Sequence, residues 1–225
     1  MTIQIQETRQ HKMTSASATN TQGTSELPPC DDEKLINEQQ YRAGAYALLA
    51  VLLRTTPAQA ALQQMKALAA ITRDDDDMSL AMSMLGLAAQ KAAPESIDDE
   101  YHTLFIGLGR GVLVPYASWY LTGFLMEKPL ALLRDDLASL GFERHPDTHE
   151  PEDHVAALCE VMAMMIDENR DFATQTAFFT AHIAPWFGQF FNDLSTAKNA
   201  VFYRAAGRFG NAFFELERDY LSMTV

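Results

Sequence analysis

Ala43-Gly44-Ala45-Tyr46-Ala47-Leu48-Leu49-Ala50-Val51-Leu52-Leu53 is the longest strongly apolar stretch of this chain. Leu48, Leu49, Leu52 and Leu53, with Leu35 and Ile36 upstream, recur at helical spacing, and Ala and Gln fill the intervals. The stretch holds about eleven residues, against roughly 18 or more needed to span a bilayer. It therefore reads as a core helix of a protein that does not insert into a membrane. Upstream, residues 1–32 are rich in Thr, Ser and Gln and close on Pro28-Pro29. They bury too little apolar surface to offset ordering entropy, so a disordered tail is expected there, followed by a single domain over residues 33–225.

Downstream the signals stay helical. Thr56-Pro57 marks a stop and a new start. Arg73 to Asp77 reads as a loop whose carboxylates cap the next helix. Ser96-Ile97-Asp98-Asp99 resembles a capping box ahead of the stripe Tyr101, Leu104, Phe105 and Leu108. Gly107, Gly109 and Gly111 break that helix. A proline-started helix from Pro129 ends near Gly141, and residues 143–149 form a polar loop. Another helix is expected from Pro151 to about Asp167, and two or three aromatic-rich helices complete the chain. No period-2 run of β-branched residues and no internal repeat occurs. The fold class is all-α: a compact helical bundle, single or two-lobed, with a hinge before the Glu150-Pro151-Glu152-Asp153-His154 helix expected from Pro151.

Composition narrows the function. The formal net charge is -13, which repels phosphate backbones and excludes nucleic acid as a partner, while it favours a basic segment of another protein. Cys30 and Cys159 lie far apart and form no CxxC pair, so neither a disulfide framework nor a thiolate metal site is suggested. The N-terminal residues have no apolar core of the secretory kind, and no two arginines are adjacent anywhere. These features point to the cytoplasm. Gly107-Leu108-Gly109-Arg110-Gly111 fails as a nucleotide loop, since Val112 stands where a third glycine belongs and no strand precedes it. Eleven methionines would suit an adaptable groove, yet Met65, Met82, Met84, Met162 and Met165 fit ordinary helical cores.

The densest polar cluster runs from His145 to His154. As a zinc site it lacks HExxH, since His149 and His154 are five apart with Pro151 between them. A structural reading places Pro151 in the first helical turn, with Glu152 and Asp153 favouring the positive end of the helix dipole. A recognition reading takes Glu150, Asp153 and His154 as exposed groups placed to meet a cationic peptide. No GxSxG is present, and Ser118 has no triad partner at local spacing, so no catalytic residue is assigned. The rival function is a metal-dependent helical hydrolase using His145, His149, Asp153 and His154.

Several segments together resemble one known family. Tyr101-His102-Thr103-Leu104-Phe105-Ile106-Gly107 is similar to a Y-x-x-L-F-x-G segment, and Pro115 to Tyr120 to P-x-x-S-x-Y. Glu150 to His154 matches E-P-x-D-H, and Phe179, His182, Pro185-Trp186 and Phe202-Tyr203 follow in the same order. The pattern covers residues 33 to 222 and is that of the TorD/DmsD/NarJ-type redox-enzyme maturation chaperones. The resemblance implies an all-helical cytoplasmic chaperone without a cofactor. Such a protein binds a molybdoenzyme precursor of the trimethylamine N-oxide reductase, dimethyl sulfoxide reductase or formate dehydrogenase type, at its twin-arginine signal peptide, its enzyme body or both. It would be a monomer or a homodimer made by segment exchange, for which the loop from Glu143 to His149 is a candidate hinge. Glu150 and Asp153 would then attract the arginines and His154 orient them. Phe105, Pro115, Tyr116, Ser118, Trp119 and Tyr120 would line the adjoining groove.

Overall fold

Helix α1 (Asp31–Arg54) turns Tyr46, Leu49, Leu52 and Leu53 inward, while Tyr41, Gly44, Ala47 and Val51 face outward. In the computed structural model, residues 31–70, 76–107 and 111–223 are described, with side chains from residue 36 onward. The expected tail lies outside the described residues except for Asp31 and Asp32, which already belong to α1. The inward face of α1 packs along α7 (Val155–Asp167). In α7 only Glu160, Met164 and Asp167 escape burial, as a helix apolar nearly all round requires. Its Cys159 thiol is pushed well above the usual range by burial, with a smaller push from Glu160, and so is chemically quiet.

Around this pair stand α2 (Gln59–Lys66), α3 (Asp77–Lys91), α4 (Pro94–Tyr101), α5 (Ala117–Thr122), α6 (Lys128–Leu140), α8 (Phe172–Phe178), α9 (Phe187–Thr196) and α10 (Phe202–Ser222). A 3-10 segment, Ala67–Ala70, follows α2, and π turns extend α4 through Ile106 and α8 through Ile183. No strand occurs among the described residues, so the protein has an all-α fold. A single connected apolar core runs from α1 through α7 to α9 and α10. Met65, Met162 and Met165 are buried in it, and Met82 packs against it. None of the described helices is long and apolar enough to cross a membrane.

Long α10 packs on α9 and α3. A Cβ at Gly207 would lie 2.6 Å from the backbone nitrogen of Ser195, so only glycine permits this approach. A buried polar hub ties α1, α8 and α10 together. Arg42 Nε and Nη2 donate to the two carboxylate oxygens of Glu217 at 2.8 and 2.6 Å, and Nη1 donates to Gln175 Oε1 at 2.9 Å. Tyr220 lies under the guanidinium carbon, 4.7 Å from the ring centroid.

Local signals fixed some boundaries and not others. α6 carries Pro129 in its first turn and ends on Gly141 with φ of 80°, as expected. Asp76 caps α3, accepting from the Ser79 backbone N–H at 2.7 Å, while Arg73 to Asp75 lie outside the described residues. Gly107 ends the α4 extension as expected, and Gly109 lies outside the described residues. Three expectations are corrected. Thr56-Pro57 does separate α1 from α2, but Pro57 sits in the connector and not in a first helical turn. Ser96 lies inside α4, which starts at Pro94, so it caps nothing. The helix expected from Pro151 starts at Val155.

Candidate functional site

The late start of α7 has a tertiary cause. Residues 151–154 are drawn alongside 115–117 instead of coiling. Ala117 N–H donates to Asp153 O at 2.9 Å, and Val155 N–H donates to Pro115 O at 2.9 Å, forming an isolated antiparallel bridge between Tyr116 and His154. The P-x-x-S-x-Y and E-P-x-D-H segments are thus clasped together. From the clasp two helices depart, α5 and α7.

Each helix is capped by the other segment or by the clasp itself. Asp153 Oδ2 accepts from the Ser118 backbone N–H at 2.9 Å and from its hydroxyl at 2.6 Å, which places a carboxylate at the N-terminus of α5. Ser118 is 0% exposed and Asp153 1%. His154 is the N-cap of α7, its Nδ1 accepting from Ala156 N–H at 3.2 Å. That bond leaves the imidazole neutral with its proton on Nε2. Burial, aided by the positive charge of Arg54, drives its pKa down to about 3. The ring also meets Tyr116 edge-on, with centroids 5.0 Å apart. The expectation of an exposed carboxylate and imidazole at positions 153 and 154 is therefore corrected: both side chains are buried and spent internally, Asp153 on the Ser118 N–H and hydroxyl and His154 on the Ala156 N–H.

Glu150 is the member of the motif that faces solvent. Partial burial raises its pKa, Arg54 counteracts this, and the neighbouring Asp153 charge adds to it. Glu152 serves neither dipole nor ligand, for it pairs with Arg134 of α6 at 2.8 Å and approaches Arg144 at 3.6 Å. Of the other expected groove residues, Pro115 is buried, and Phe105, Tyr116, Trp119 and Tyr120 are half-buried. Phe105 meets the Tyr101 ring at a tilt and the Tyr203 ring edge-on, with centroids 5.1 and 5.3 Å apart, while Tyr120 packs on Trp186 and donates to Asp193 at 3.2 Å.

His145 Nδ1 accepts from the Asp147 N–H at 3.3 Å, and His149 is exposed. Among the described residues no three His, Cys, Asp or Glu side chains converge on a metal-sized space. With Asp153 and His154 committed to capping, the donor set of the hydrolase reading does not assemble.

Sequence reasoning missed three features. Arg54 and Glu160 form a two-pronged ion pair beside the clasp, across a separation of 106 residues that no local pattern betrays. Glu100 accepts from the N–H groups of Val201, Phe202 and Tyr203 at 2.8, 3.0 and 2.7 Å, capping α10 from a distant helix. Leu121 near the end of α5 and Phe124, Leu125 and Met126 in the apolar loop after it are exposed, Met126 in the left-handed region with φ of 59°. The uninterrupted Phe-Leu-Met run was its available signal.

Residues 52–192 match the family model described as nitrate reductase delta subunit. A candidate Tat proofreading chaperone DmsD of Haemophilus influenzae is 32% identical over 120 residues, 52% of this chain and 57% of that protein. The chaperone protein TorD of Vibrio atlanticus is 24% identical over 156 residues, 64% of this chain and 73% of that protein. The aligned part thus spans little over half of the first relative's length and about three quarters of the second's. A crystal structure of a candidate redox enzyme maturation protein from Archaeoglobus fulgidus shares the fold, with a TM-score of 0.51 at 18% identity, covering 79% of this chain and 93% of that one.

Proposed function

The chain belongs to the nitrate reductase delta subunit family, which includes the TorD and DmsD chaperones, and from that premise we propose that it is a cytoplasmic, non-catalytic chaperone dedicated to a molybdenum-cofactor oxidoreductase. It binds the enzyme's precursor at the twin-arginine signal peptide, assists cofactor insertion and delays export until folding is complete.

The observation that carries the reading is the clasp of Tyr116 and His154. It joins two segments distant in sequence, one of which carries the exposed Glu150 and the other the half-buried rings of Tyr116, Trp119 and Tyr120. A signal of this kind is cationic first and apolar after, and a rim carboxylate beside aromatic surface complements both parts. Within the set, Glu150 meets the arginines. Asp153, His154, Ser118 and Pro115 hold the frame, and Phe105 supports it from the Tyr101 side. The chain's charge of -13 draws a basic peptide from a distance. The client is an enzyme of the trimethylamine N-oxide reductase, dimethyl sulfoxide reductase or formate dehydrogenase type.

Calorimetric titration with twin-arginine signal peptides of the host's molybdoenzymes tests this, each peptide paired with a double-lysine variant. One peptide should bind in an arginine-dependent way, and Glu150→Gln should weaken it roughly tenfold, the worth of one charge-assisted pair. Failure of every peptide to bind would remove the signal-peptide reading.

A further inference from the structure

Arg54, the last residue of α1, carries the same chemical group as the ligand proposed for the rim. Its Nε and Nη2 donate to Glu160 Oε1 and Oε2 at 2.6 and 2.5 Å, and the two side chains are 13% and 19% exposed. Its carbonyl accepts from the Tyr101 hydroxyl at 2.9 Å, and Thr56 in the same connector donates to Asp98 at 2.7 Å, so the end of α1 is fixed against α4. Glu160 stands on α7, the helix that leaves the clasp at His154. The Arg54 charge is felt by Glu150, His154 and Cys159 alike. One carboxylate, Glu160, therefore holds this resident guanidinium, and a second, Glu150, lies within reach of its charge. Ser118 and its backbone hold Asp153, Arg54 holds Glu160, and Glu150 remains for an incoming cation.

We propose that Arg54 is the specificity-determining residue of this site, a resident guanidinium that an incoming arginine displaces from Glu160 and an incoming lysine does not. The inference rests on the signal-peptide reading above. Its physical basis is exchange symmetry. A guanidinium replacing a guanidinium restores both hydrogen bonds to a half-desolvated carboxylate, so that the loss of the Arg54 pair is made good at Glu160. An ammonium presents no planar fork and leaves one carboxylate oxygen poorly paired, so it cannot repay the displacement. The site thus discriminates between two cations of equal charge by making either one compete with Arg54.

The experiment pairs an arginine signal peptide and its lysine counterpart with the wild-type chain, Arg54→Gln, Arg54→Lys and the double variant Arg54→Gln/Glu160→Gln. Circular dichroism and thermal midpoint establish that each variant is folded. The wild type should prefer the arginine peptide by about tenfold or more, the size expected of one well-formed charge-assisted pair. Arg54→Gln should bind the arginine peptide more tightly than the wild type does and lose most of the preference, because Glu160 is then open to either cation. Adding Glu160→Gln should cancel the gain. In the wild-type chain the nitrogen-15 resonance of Arg54 Nε–H should move toward the position of unpaired arginine as the peptide saturates, a readout that needs no variant to fold. A wild type that binds with an unmoved Arg54 resonance, or an Arg54→Gln variant with an unchanged preference, overturns the exchange and leaves the signal-peptide reading standing. Binding by none of the proteins would remove that reading, and the exchange with it.

Discussion

Ser118 and Asp153, 35 residues apart in sequence, share one carboxylate oxygen: Asp153 Oδ2 accepts both the backbone N–H and the hydroxyl of Ser118. The bond pair seats α5 on the segment that leads into α7, with both side chains out of solvent. Replacing Asp153 by Ala strands two buried donors and removes the α5 cap. The expected loss is about 3 kcal/mol, read from urea unfolding. Asp153→Asn keeps an acceptor oxygen and should cost less than half as much. Weakened peptide binding in Asp153→Ala should accompany this loss of stability, whereas Glu150→Gln should lose binding at unchanged stability.

His154 gives the protein a pH-dependent stability with a definite sign. Its pKa falls from 6.5 to about 3 on folding, because burial and Arg54 both disfavour the imidazolium. Above 6.5 both folded and unfolded chains carry the neutral ring and nothing is lost. Below 6.5 the unfolded chain takes up a proton that the folded chain refuses, so stability falls with pH until the folded ring titrates near 3. At pH 5 the loss from this group amounts to about 2 kcal/mol. Urea unfolding at pH 7.5 and pH 5.0 measures it. In His154→Asn, which retains an N-cap acceptor, this part of the pH dependence should vanish.

The helical class was legible because amphipathic spacing is local, and so were boundaries set by a residue's own backbone preference. Pro129 and Gly141 bracket α6 for that reason. Where tertiary bonds compete with local preference, reading failed. Pro151 and the acidic residues after it look like a helix start, but Pro115 O and Ala117 N–H offer residues 153–155 a bridge to a distant segment instead. Glu100 caps α10 from 101 to 103 positions away, and Val201 at the N-cap itself has no side-chain acceptor to announce that end. In the candidate site, Glu150, Asp153 and His154 stood out as one contiguous motif. Their division into one exposed and two buried groups follows from the partner segment at 115–118. Arg54 and Glu160 were invisible for the same reason that makes them informative, since only the packing of α1 on α7 brings them together.

Arg42 and Glu217 form the deepest ion pair described, with side chains 4% and 0% exposed. Removing one partner leaves the other charged and buried, so Arg42→Met or Glu217→Leu alone should cost about 3–5 kcal/mol. The double variant replaces the pair by apolar volume and should recover much of that loss, because neither charge then needs desolvating. A double-mutant cycle by urea unfolding gives the coupling. Gln175 and Tyr46, which donates to Glu217 at 3.2 Å, would keep the recovery incomplete.

Met126 holds a left-handed backbone with φ of 59°, and the residue is 74% exposed, with Phe124 two positions before it at 68%. An L-residue there costs about 1–2 kcal/mol relative to relaxed backbone, and no buried contact of Met126 offsets it. Met126→Gly should therefore raise stability, by up to about 1 kcal/mol once the added freedom of the unfolded chain is subtracted. Phe124→Ser should leave stability within about 0.5 kcal/mol of the wild type, as for other surface changes. If this loop receives the apolar part of a bound signal peptide, both variants bind the peptide more weakly while remaining at least nearly as stable. Paired thermal unfolding and calorimetric titration of the two variants read these effects separately, and unchanged affinity in both would take the loop out of the peptide's path.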